Sequence, residues 1–323
     1  MKKVLITRPI PQEVLEKFQG RLEFELAPSG ALTKEEALKI LPGYDALMVV
    51  GFRVDSDVID AGTNLKAIGN NGVGYDNIDW EYATAKKVAV INTPHEVMHP
   101  TAELTVALML GITRRLAFYD KKIRTGVPTN QMNTSFPTGS MSVYGKTVGI
   151  IGFGRIGRAF AAKCKGLGMN VIYNDVIHAP ESVETELDAK FMPFDEVLKN
   201  ADVVSVHCPY IPENHHLIDA RALSLMKPTA YFLNAARGKV MDEAALIEAL
   251  KANTIAGAGL DVYEDEPIVS PGLFELDNVI MTPHVGTGTY EVRVRMVTEA
   301  LTGIAEVLEG KVPYNVVNPE IYK

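Results

Sequence analysis

Gly152-Phe153-Gly154-Arg155-Ile156-Gly157 stands between an apolar run, Thr147–Ile151, and a segment with apolar residues at helical spacing, Gly157–Gly168. In a G-x-G-x-x-G turn between a strand and a helix, the first glycine permits the tight turn and the second lets the backbone approach a pyrophosphate. The third lets helix and strand pack closely. The amides of Arg155 and Ile156 would lie at the helix N-terminus, where the helix dipole favours phosphate. The sequence therefore predicts a dinucleotide-binding turn.

An acidic residue follows at the distance that such a turn requires. Asp175 comes directly after the next predicted strand, Asn170–Asn174, and lies about 20 residues beyond the turn, where a carboxylate accepts from the ribose hydroxyls. A glycine turn chosen only for packing, with Asp175 as a solvated strand end, is the alternative; the order strand, turn, helix, strand, acid disfavours it. The segment 176–178 supplies no arginine for a ribose phosphate, so we predict NAD rather than its phosphorylated form.

Short apolar runs alternate with helical segments on both sides of this turn, which favours an α/β fold class with two doubly wound parallel sheets. We predict six strands from the one that precedes the turn onward, at 147–152, 170–174, 203–207, 230–234, 255–260 and 279–282. Before it we predict four, at 4–6, 46–50, 65–68 and 88–91. One long helix, Thr101–Arg124, is predicted to join the two series, followed by a polar loop or arm, Gln131–Tyr144.

Composition excludes several classes of protein. The chain has 323 residues, 47% hydrophobic and 22% charged, which is ordinary for a globular protein of two domains. Its net charge of −8 gives no basic footprint for nucleic acid or an anionic membrane. Two cysteines, Cys164 and Cys208, cannot build a disulfide framework and suit a cytoplasmic location. We expect neither a signal peptide nor a membrane span, because the apolar runs are too short.

The chain resembles the D-isomer-specific 2-hydroxyacid dehydrogenases over essentially its whole length. Seven groups of motifs carry the resemblance, in the order that is typical of the family. They are Asn71–Asp79 with Asn92-Thr93-Pro94, Ala102-Glu103, the glycine turn, His207-Cys208-Pro209 with Asn214, Asn234-Ala235-Ala236-Arg237-Gly238, Gly259–Pro267, and Thr282-Pro283-His284-Val285-Gly286.

The resemblance implies two domains, one that binds the substrate and one that binds the cofactor. A flavodoxin-like substrate domain would consist of residues 1–98 and 290–323, and an inserted Rossmann domain that binds NAD would consist of residues 99–289. The family further implies a small 2-oxo or 2-hydroxy acid as substrate and a homodimer formed through the inserted domain, including Thr101–Tyr144.

Three residues match the catalytic positions of the family. Reduction of a 2-oxo acid needs a cation for the carboxylate, an acid for the developing alkoxide, and a partner that orients that acid. The resemblance assigns these roles to Arg237, His284 and Glu266. Singly, each has an ordinary alternative, as a surface cation, a buried histidine or a solvated loop acid. The motif context favours the catalytic interpretation.

The resemblance implies further contacts by position. On the cofactor side these are Cys208, Pro209 and Asn214 near the adenosine, Ala235 and Asp261 near the nicotinamide (with Asp261 as acceptor for the carboxamide), and Thr101 and Gly286. On the substrate side, the backbone amides of Gly72, Val73 and Gly74 would bind the carboxylate that Arg237 also holds. An ordinary strand-to-helix turn is the alternative for Gly72–Gly74.

The sequence leaves some questions open. Phe52, next to Arg53, stands where phosphate-handling relatives carry a polar residue, and this disfavours a phosphorylated substrate. His95 and His99 could face the substrate or be plain surface residues. A formate dehydrogenase is disfavoured because those relatives carry glutamine at the position of Glu266. A non-catalytic NAD(H)-sensing interaction protein on the same scaffold is the alternative function, and measurable turnover distinguishes the two.

Overall fold

The computed structural model of the chain describes residues 1–27, 30–132 and 139–323. These residues divide into two units, Met1–Val97 with Thr287–Lys323, and Met98–Gly286. Each unit contains a parallel sheet with helices around it. The predicted fold class, α/β with two doubly wound parallel sheets, is therefore confirmed.

The first unit has five parallel strands in the order β2-β1-β3-β4-β5, which is the flavodoxin-like arrangement. Its strands are β1 (Lys2–Ile6), β2 (Leu22–Leu26), β3 (Ala46–Val49), β4 (Ala67–Asn70) and β5 (Ala89–Ile91). Its helices are α1 (Gln12–Glu16), α2 (Lys34–Ile40), α3 (Ser56–Ala61), α4 (Trp80–Ala85) and, from the end of the chain, α13 (Tyr290–Leu308).

The C-terminal segment completes the core of the first unit. The helix α13 packs on β3, β4 and β5 and buries Ala300, Leu301 and Ile304 completely. Beyond it, the buried Asn318 accepts a hydrogen bond from the amide of Val90 at 2.8 Å and donates one to the carbonyl of Val88 at 2.9 Å. These two bonds satisfy backbone groups at β5, which lies at one edge of the sheet.

The second unit has seven parallel strands in the order β12-β11-β10-β9-β6-β7-β8, so the chain reverses direction of winding at β6, the strand before the glycine turn. Its strands are β6 (Thr147–Ile151), β7 (Asn170–Asn174), β8 (Ala189–Phe191), β9 (Val203–Val206), β10 (Tyr231–Asn234), β11 (Gly257–Leu260) and β12 (Val279–Met281). Its helices are α5 (Met98–Thr113), α6 (Leu116–Arg124), α7 (Thr129–Met132), α8 (Arg155–Gly166), α9 (Glu181–Leu187), α10 (Phe194–Asn200), α11 (Ala220–Leu225) and α12 (Glu243–Lys251).

The structure corrects the predicted elements in three places. The prediction omits β2 and β8, which are edge strands. In β2, Leu22-Glu23-Phe24-Glu25-Leu26 alternates apolar and charged residues, and that period of two is the signal for a half-buried strand. In β8, three residues give too little pattern to detect, and the prediction also omits α9 before it.

The predicted single helix Thr101–Arg124 is wrong, because α5 and α6 are separate. Arg115 between them has a left-handed backbone, with φ of +52°, and its guanidinium carbon lies 4.0 Å from the centre of the Phe118 ring. The helical spacing of apolar residues continues through the break, so periodicity alone cannot show it. Part of the predicted arm Gln131–Tyr144, residues 133–138, lies outside the described residues.

Candidate active site

The glycine turn has the backbone geometry that its sequence predicts. Gly152 follows β6 with φ of +94°, and a Cβ there would lie 2.4 Å from the backbone nitrogen of Cys208. A Cβ on Gly157 would lie 2.2 Å from the carbonyl oxygen of Gly152. By contrast, a Cβ on Gly154 would meet no atom of the described residues within 4 Å. The middle glycine therefore borders open space at the start of α8, where a pyrophosphate fits.

The carboxylate of Asp175 lies against this turn. One oxygen accepts a hydrogen bond from the amide of Phe153 at 2.5 Å, and the other accepts one from the amide of Ile177 at 3.1 Å. Val176 is fully exposed and Ile177 is 76% exposed, so an apolar surface adjoins the carboxylate. An acidic group beside an exposed apolar surface suits a ribose with its attached base.

The loop after β9 borders the turn from the other side. The side-chain amide of Asn214 donates to the carbonyl of Pro209 at 2.6 Å, and its oxygen accepts from the amide of Ile211 at 2.9 Å. Burial raises the pKa of the Cys208 thiol to about 11, and burial lowers the pKa of His207 to about 3. Both side chains are therefore neutral near pH 7, and the loop carries no nucleophilic thiolate.

Asp261 fixes the backbone of the loop that carries His284. The Asp261 carboxylate is 1% exposed and accepts hydrogen bonds from the Thr282 hydroxyl at 2.6 Å and from the amides of Val285 and Gly286 at 2.8 Å each. The backbone carbonyl of Asp261 also accepts from the amide of His284 at 2.8 Å. This anchoring function is missed by the sequence analysis, which considers Asp261 only as a cofactor contact. The available signal in the sequence is an acidic residue directly after an apolar strand.

Thr101 and Gly286 lie beside Asp261. A Cβ on Gly286 would be 3.3 Å from the Thr101 hydroxyl and 3.4 Å from an Asp261 carboxylate oxygen. Thr101 is 7% exposed in α5. Ala235, which directly follows β10, is also buried. These four predicted residues thus occupy the carboxyl-end side of the second sheet, together with the loops after β10 and β12.

His284 and Glu266 form a hydrogen-bonded pair. Nδ1 of His284 lies 2.7 Å from Oε2 of Glu266, and Oε1 of Glu266 accepts from the amide of Tyr263 at 3.0 Å. His284 has a left-handed backbone with φ of +52°, which is uncommon for a residue other than glycine. The pairing at Nδ1 fixes the orientation of the ring.

Opposing influences act on the pKa of Glu266. Burial raises it, but the hydrogen bond and charge of His284, the Tyr263 amide and the charge of Arg237 lower it more. The net pKa of Glu266 lies below its ordinary value. The carboxylate therefore stays charged over the whole pH range in which a histidine ordinarily titrates.

The loop after β10 positions Arg237. The buried side chain of Asn234 accepts from the amide of Ala236 and donates to the carbonyl of Arg237, both at 3.0 Å. A Cβ on Gly238 would lie 1.8 Å from the carbonyl oxygen of Tyr263, so glycine is required for the close approach of this loop to the loop that carries Glu266. The sequence alone does not indicate this function of Asn234. The polar residue at the end of an apolar strand was the available signal.

In the first unit, Gly72-Val73-Gly74 follow β4 with their carbonyls engaged. Asn70 donates to Gly74 at 2.5 Å, Asn92 donates to Val73 at 2.9 Å, and the amide of Thr93 donates to Gly72 at 3.0 Å. The amides of Gly72, Val73 and Gly74 have no hydrogen-bond partner within residues 1–27, 30–132 and 139–323. The loop therefore presents donors rather than acceptors, which suits an anion.

The residues that the sequence leaves open have different environments. Phe52 is half-buried against the apolar cluster of the first unit, and Arg53 is exposed. His95 bonds to Glu299 at 3.2 Å and to the Tyr314 hydroxyl at 3.3 Å, so it belongs to a network within the first unit. His99 is an exposed residue of α5.

Comparisons with known proteins show the family of the chain. A sequence model described as "D-isomer specific 2-hydroxyacid dehydrogenase, NAD binding domain" matches residues 106–286. A glyoxylate reductase of Thermococcus onnurineus is 42% identical over 99% of this chain and 96% of its own. The crystal structure of a glyoxylate reductase from Paecilomyes thermophila has a TM-score of 0.86 at 31% identity, over 99% of both chains. That of an NADPH-dependent glyoxylate/hydroxypyruvate reductase from Sinorhizobium meliloti has a TM-score of 0.86 at 26% identity, also over 99% of both chains.

The chain belongs to the D-isomer-specific 2-hydroxyacid dehydrogenase family. It is an NAD-dependent oxidoreductase that acts on the CH–OH group of 2-hydroxy acids and on the corresponding 2-oxo acids. The glycine turn, the open space at Gly154 and the carboxylate of Asp175 fit the cofactor that this family uses. Among the described helices, none combines the length and the apolar character needed to cross a bilayer.

Proposed function

We propose that the protein reduces small, unphosphorylated 2-oxo acids of the glyoxylate and hydroxypyruvate type, with His284 as the proton donor. The single observation that carries this proposal is the hydrogen bond of 2.7 Å between Nδ1 of His284 and Oε2 of Glu266. It holds the imidazole in one orientation and places the negative charge of Glu266 beside it. The glyoxylate reductase of Thermococcus onnurineus supports the substrate class.

Each protein group has one role in this proposal. The glycine turn and Asp175 would hold NADH, which would supply the hydride for C2 of the 2-oxo acid. His284 delivers a proton from Nε2 to the carbonyl oxygen, and it accepts that proton when a 2-hydroxy acid is oxidised. Glu266 orients the imidazole and balances its positive charge. Arg237 binds the substrate carboxylate through its planar guanidinium, which remains charged at every working pH.

The residues of the two units have different proposed tasks. In the second unit, which we propose as the NAD-binding domain, Gly152, Gly154, Arg155, Ile156 and Gly157 would bind the pyrophosphate and Asp175 the ribose. In the first unit, which we propose as the substrate domain, the unpartnered amides of Gly72, Val73 and Gly74 would bind a carboxylate. The apolar Phe52 supports a substrate without a phosphate group, because it offers no charge to bind one.

A substrate panel tests the proposal. NADH oxidation is followed by the loss of nicotinamide absorbance with glyoxylate, hydroxypyruvate, pyruvate, 2-ketogluconate and a phosphorylated 2-oxo acid. We expect turnover with the first two, and loss of turnover with retained NADH binding in His284→Gln. If NADH binds but no 2-oxo acid is reduced, the proposal is wrong and an NAD(H)-sensing protein is the remaining function.

We further propose a homodimer formed through the second unit and a cytoplasmic location. In α6, Leu116 is 58% and Ile123 is 55% exposed, and this helix buries none of its described side chains within the chain. Such apolar exposure favours a covering partner. Both cysteines are free, as a reducing compartment would keep them. Light scattering after size exclusion tests the dimer, and a monomer at micromolar concentration contradicts it.

A further inference from the structure

Two consecutive histidines, His215 and His216, lie in a tight turn directly after Asn214. The amide of Leu217 donates to the carbonyl of Asn214 at 3.1 Å, with His215 and His216 between them. His215 has φ −59° and ψ 125°, and His216 has φ +54°. This is a type II turn, whose third residue is ordinarily glycine or asparagine because φ is positive there. A histidine at that position is disfavoured by the backbone, so contacts of its side chain must compensate.

The turn directs both imidazoles toward one carboxylate. The rings of His215 and His216 are stacked with their centres 3.9 Å apart and an angle of 23° between their planes. Nε2 of His216 lies 2.6 Å from Oε1 of Glu264. One ligand atom of each of the three residues lies within 4.8 Å of the others. Two imidazoles and a carboxylate thus converge at the surface, where solvent can reach them.

Glu264 and His216 each have a further polar neighbour. The second oxygen of Glu264 accepts from the amide of Glu243 at 3.2 Å, and the other ring nitrogen of His216 lies 3.9 Å from a carboxylate oxygen of Asp242. A histidine that binds a metal ordinarily has a carboxylate or carbonyl on its second nitrogen, which orients the ring and increases its basicity. Asp242 places a carboxylate on that side of His216, at a distance that exceeds a hydrogen bond.

We propose that His215, His216 and Glu264 form a binding site for a divalent transition-metal ion of the zinc type. Imidazole nitrogen with carboxylate oxygen suits Zn²⁺, Co²⁺ and Ni²⁺, whereas Mg²⁺ and Ca²⁺ prefer oxygen ligands alone. Zinc binds nitrogen and carboxylate oxygen at roughly 2.0–2.2 Å in a tetrahedron. Side-chain rotations bring the three ligand atoms to that spacing, and water completes the fourth position.

The site would connect two loops that serve the reaction. His215 and His216 follow Asn214 in the loop proposed to contact the adenosine, and Glu264 precedes Glu266 by two residues in the loop after β11. A metal ion that bridges them restrains both loops in the second unit. Because the ion binds the folded chain, we expect it to raise the unfolding temperature of that unit.

Calorimetric titration with ZnCl₂, on full-length tag-free protein freed of metal by a chelator, tests the site. Cobalt absorption in the visible range serves as an independent readout of nitrogen ligation. We expect saturable binding at one ion per chain. His215→Ala and Glu264→Gln should each weaken it by roughly tenfold or more. His216→Asn should also weaken zinc binding by roughly tenfold or more. Asparagine is chosen because it tolerates positive φ, and the unfolding temperature of this variant without metal verifies that the turn is intact.

Two further variants separate this site from ordinary surface binding. Asp242→Asn retains the capping acceptor for the Ala245 amide, which Asp242 binds at 2.9 Å, and it should weaken zinc binding through His216 alone. His178→Ala removes a histidine paired with one carboxylate, Glu184 at 2.9 Å, and should leave zinc binding unchanged. The proposal is overturned if the chain shows no saturable zinc binding, or if His215→Ala and Glu264→Gln bind zinc as the parent does.

Discussion

Asp261 accepts a hydrogen bond from the amide of Gly286 at 2.8 Å, and so fixes the far end of the loop that carries His284. Its other oxygen accepts from Thr282 and Val285, so the carboxylate has bonds on both sides of the histidine. A buried acid directly after β11 whose two oxygens are both engaged by the loop after β12 positions that second loop. This differs from the carboxamide contact that the sequence analysis assigns to it, and the two functions predict different kinetics.

We expect Asp261→Asn to lower kcat more than it raises the KM for NADH. The asparagine amide would place a donor against the amide of Gly286, and an unsatisfied buried donor costs about 1–3 kcal/mol. The loop would then shift His284. Steady-state kinetics and thermal unfolding measure both effects. A rise in the NADH KM alone would instead support a direct bond to the carboxamide.

Glu266→Gln should move the pH dependence of both reaction directions toward lower pH. The pKa of Glu266 is below its ordinary value, so its negative charge lies beside the imidazole of His284 throughout the neutral range. Without that charge, reduction should begin to decline at lower pH, and oxidation should become available at lower pH. We expect the pH profiles to shift by at most about one pH unit, which corresponds to about 1.4 kcal/mol, because the side chains of Glu266 and His284 are both partly exposed.

The matched control for Glu266→Gln is Asp265→Asn, which removes a charge from the neighbouring exposed position. It should leave both pH profiles in place. Profiles that stay fixed in Glu266→Gln, or that move in opposite directions, would show that Glu266 does not govern the protonation of His284.

Arg237→Lys should lose most of kcat/KM although the charge remains. Lysine offers a point charge and cannot keep the two parallel hydrogen bonds that a guanidinium makes with a carboxylate. The loss should be about 3–5 kcal/mol of transition-state binding if Arg237 holds both the carboxylate and the carbonyl oxygen. Retained NADH binding, measured by fluorescence, confines the effect to the substrate. Near-normal kinetics would remove Arg237 from the site.

Asp175→Ala should narrow or reverse a preference for NADH over NADPH. A ribose phosphate would meet the carboxylate of Asp175 beside the turn, where like charges repel in a partly desolvated setting. The effect should appear chiefly in the KM values for the two cofactors. Measuring both NADH and NADPH is informative because a relative from Sinorhizobium meliloti is NADPH-dependent. Equal use of both cofactors by the unmodified protein would contradict the role of Asp175.

Asp202→Asn should destabilise the second unit by about 1 kcal/mol at neutral pH. Asp202 accepts from the amide of Thr147 at 2.9 Å and from Lys227 at 3.0 Å. Burial raises the pKa of Asp202, but these two partners lower it more. A lowered pKa in the folded state means that the stabilisation is present above about pH 4 and is lost as the pH falls through the folded value. Urea unfolding at neutral and acid pH should show that the difference in free energy of unfolding between Asp202→Asn and the parent shrinks at acid pH. The control is Asp120→Asn, which changes an exposed ion pair and should behave as the parent does at both pH values.

The sequence predicts most strongly where local pattern and chemistry coincide. The turn Gly152–Gly157 with Asp175 predicts a strand, a turn, a helix and a second strand together, because Gly152, Gly157 and Asp175 each meet a steric or electrostatic requirement at a fixed spacing. The family resemblance likewise predicts the pairing of His284 with Glu266, whose side chains lie 2.7 Å apart although the residues are 18 positions apart in the chain.

Other features depend on tertiary contacts that local pattern does not encode. The edge strand Ala189–Phe191 is defined by its neighbour β7 rather than by its own residues. The break at Arg115 interrupts a continuous apolar repeat. The bonds of Asp261 and Asn234 become visible only when the loops at the ends of several strands are brought together. The His215–His216 turn is evident in the sequence, but its third partner, Glu264, is 48 residues away from His216.

The first unit is formed by chain segments from both sides of the second, with α13 covering its sheet and Asn318 bonded at β5. During synthesis, a ribosome delivers residues 98–286 before residues 287–323. The inserted unit can therefore finish folding while the apolar face that α13 covers is still open to solvent. We expect the usual order, in which the N-terminal part folds first, to be reversed here. The strands that are made earliest are the last to be covered, when the final helix emerges.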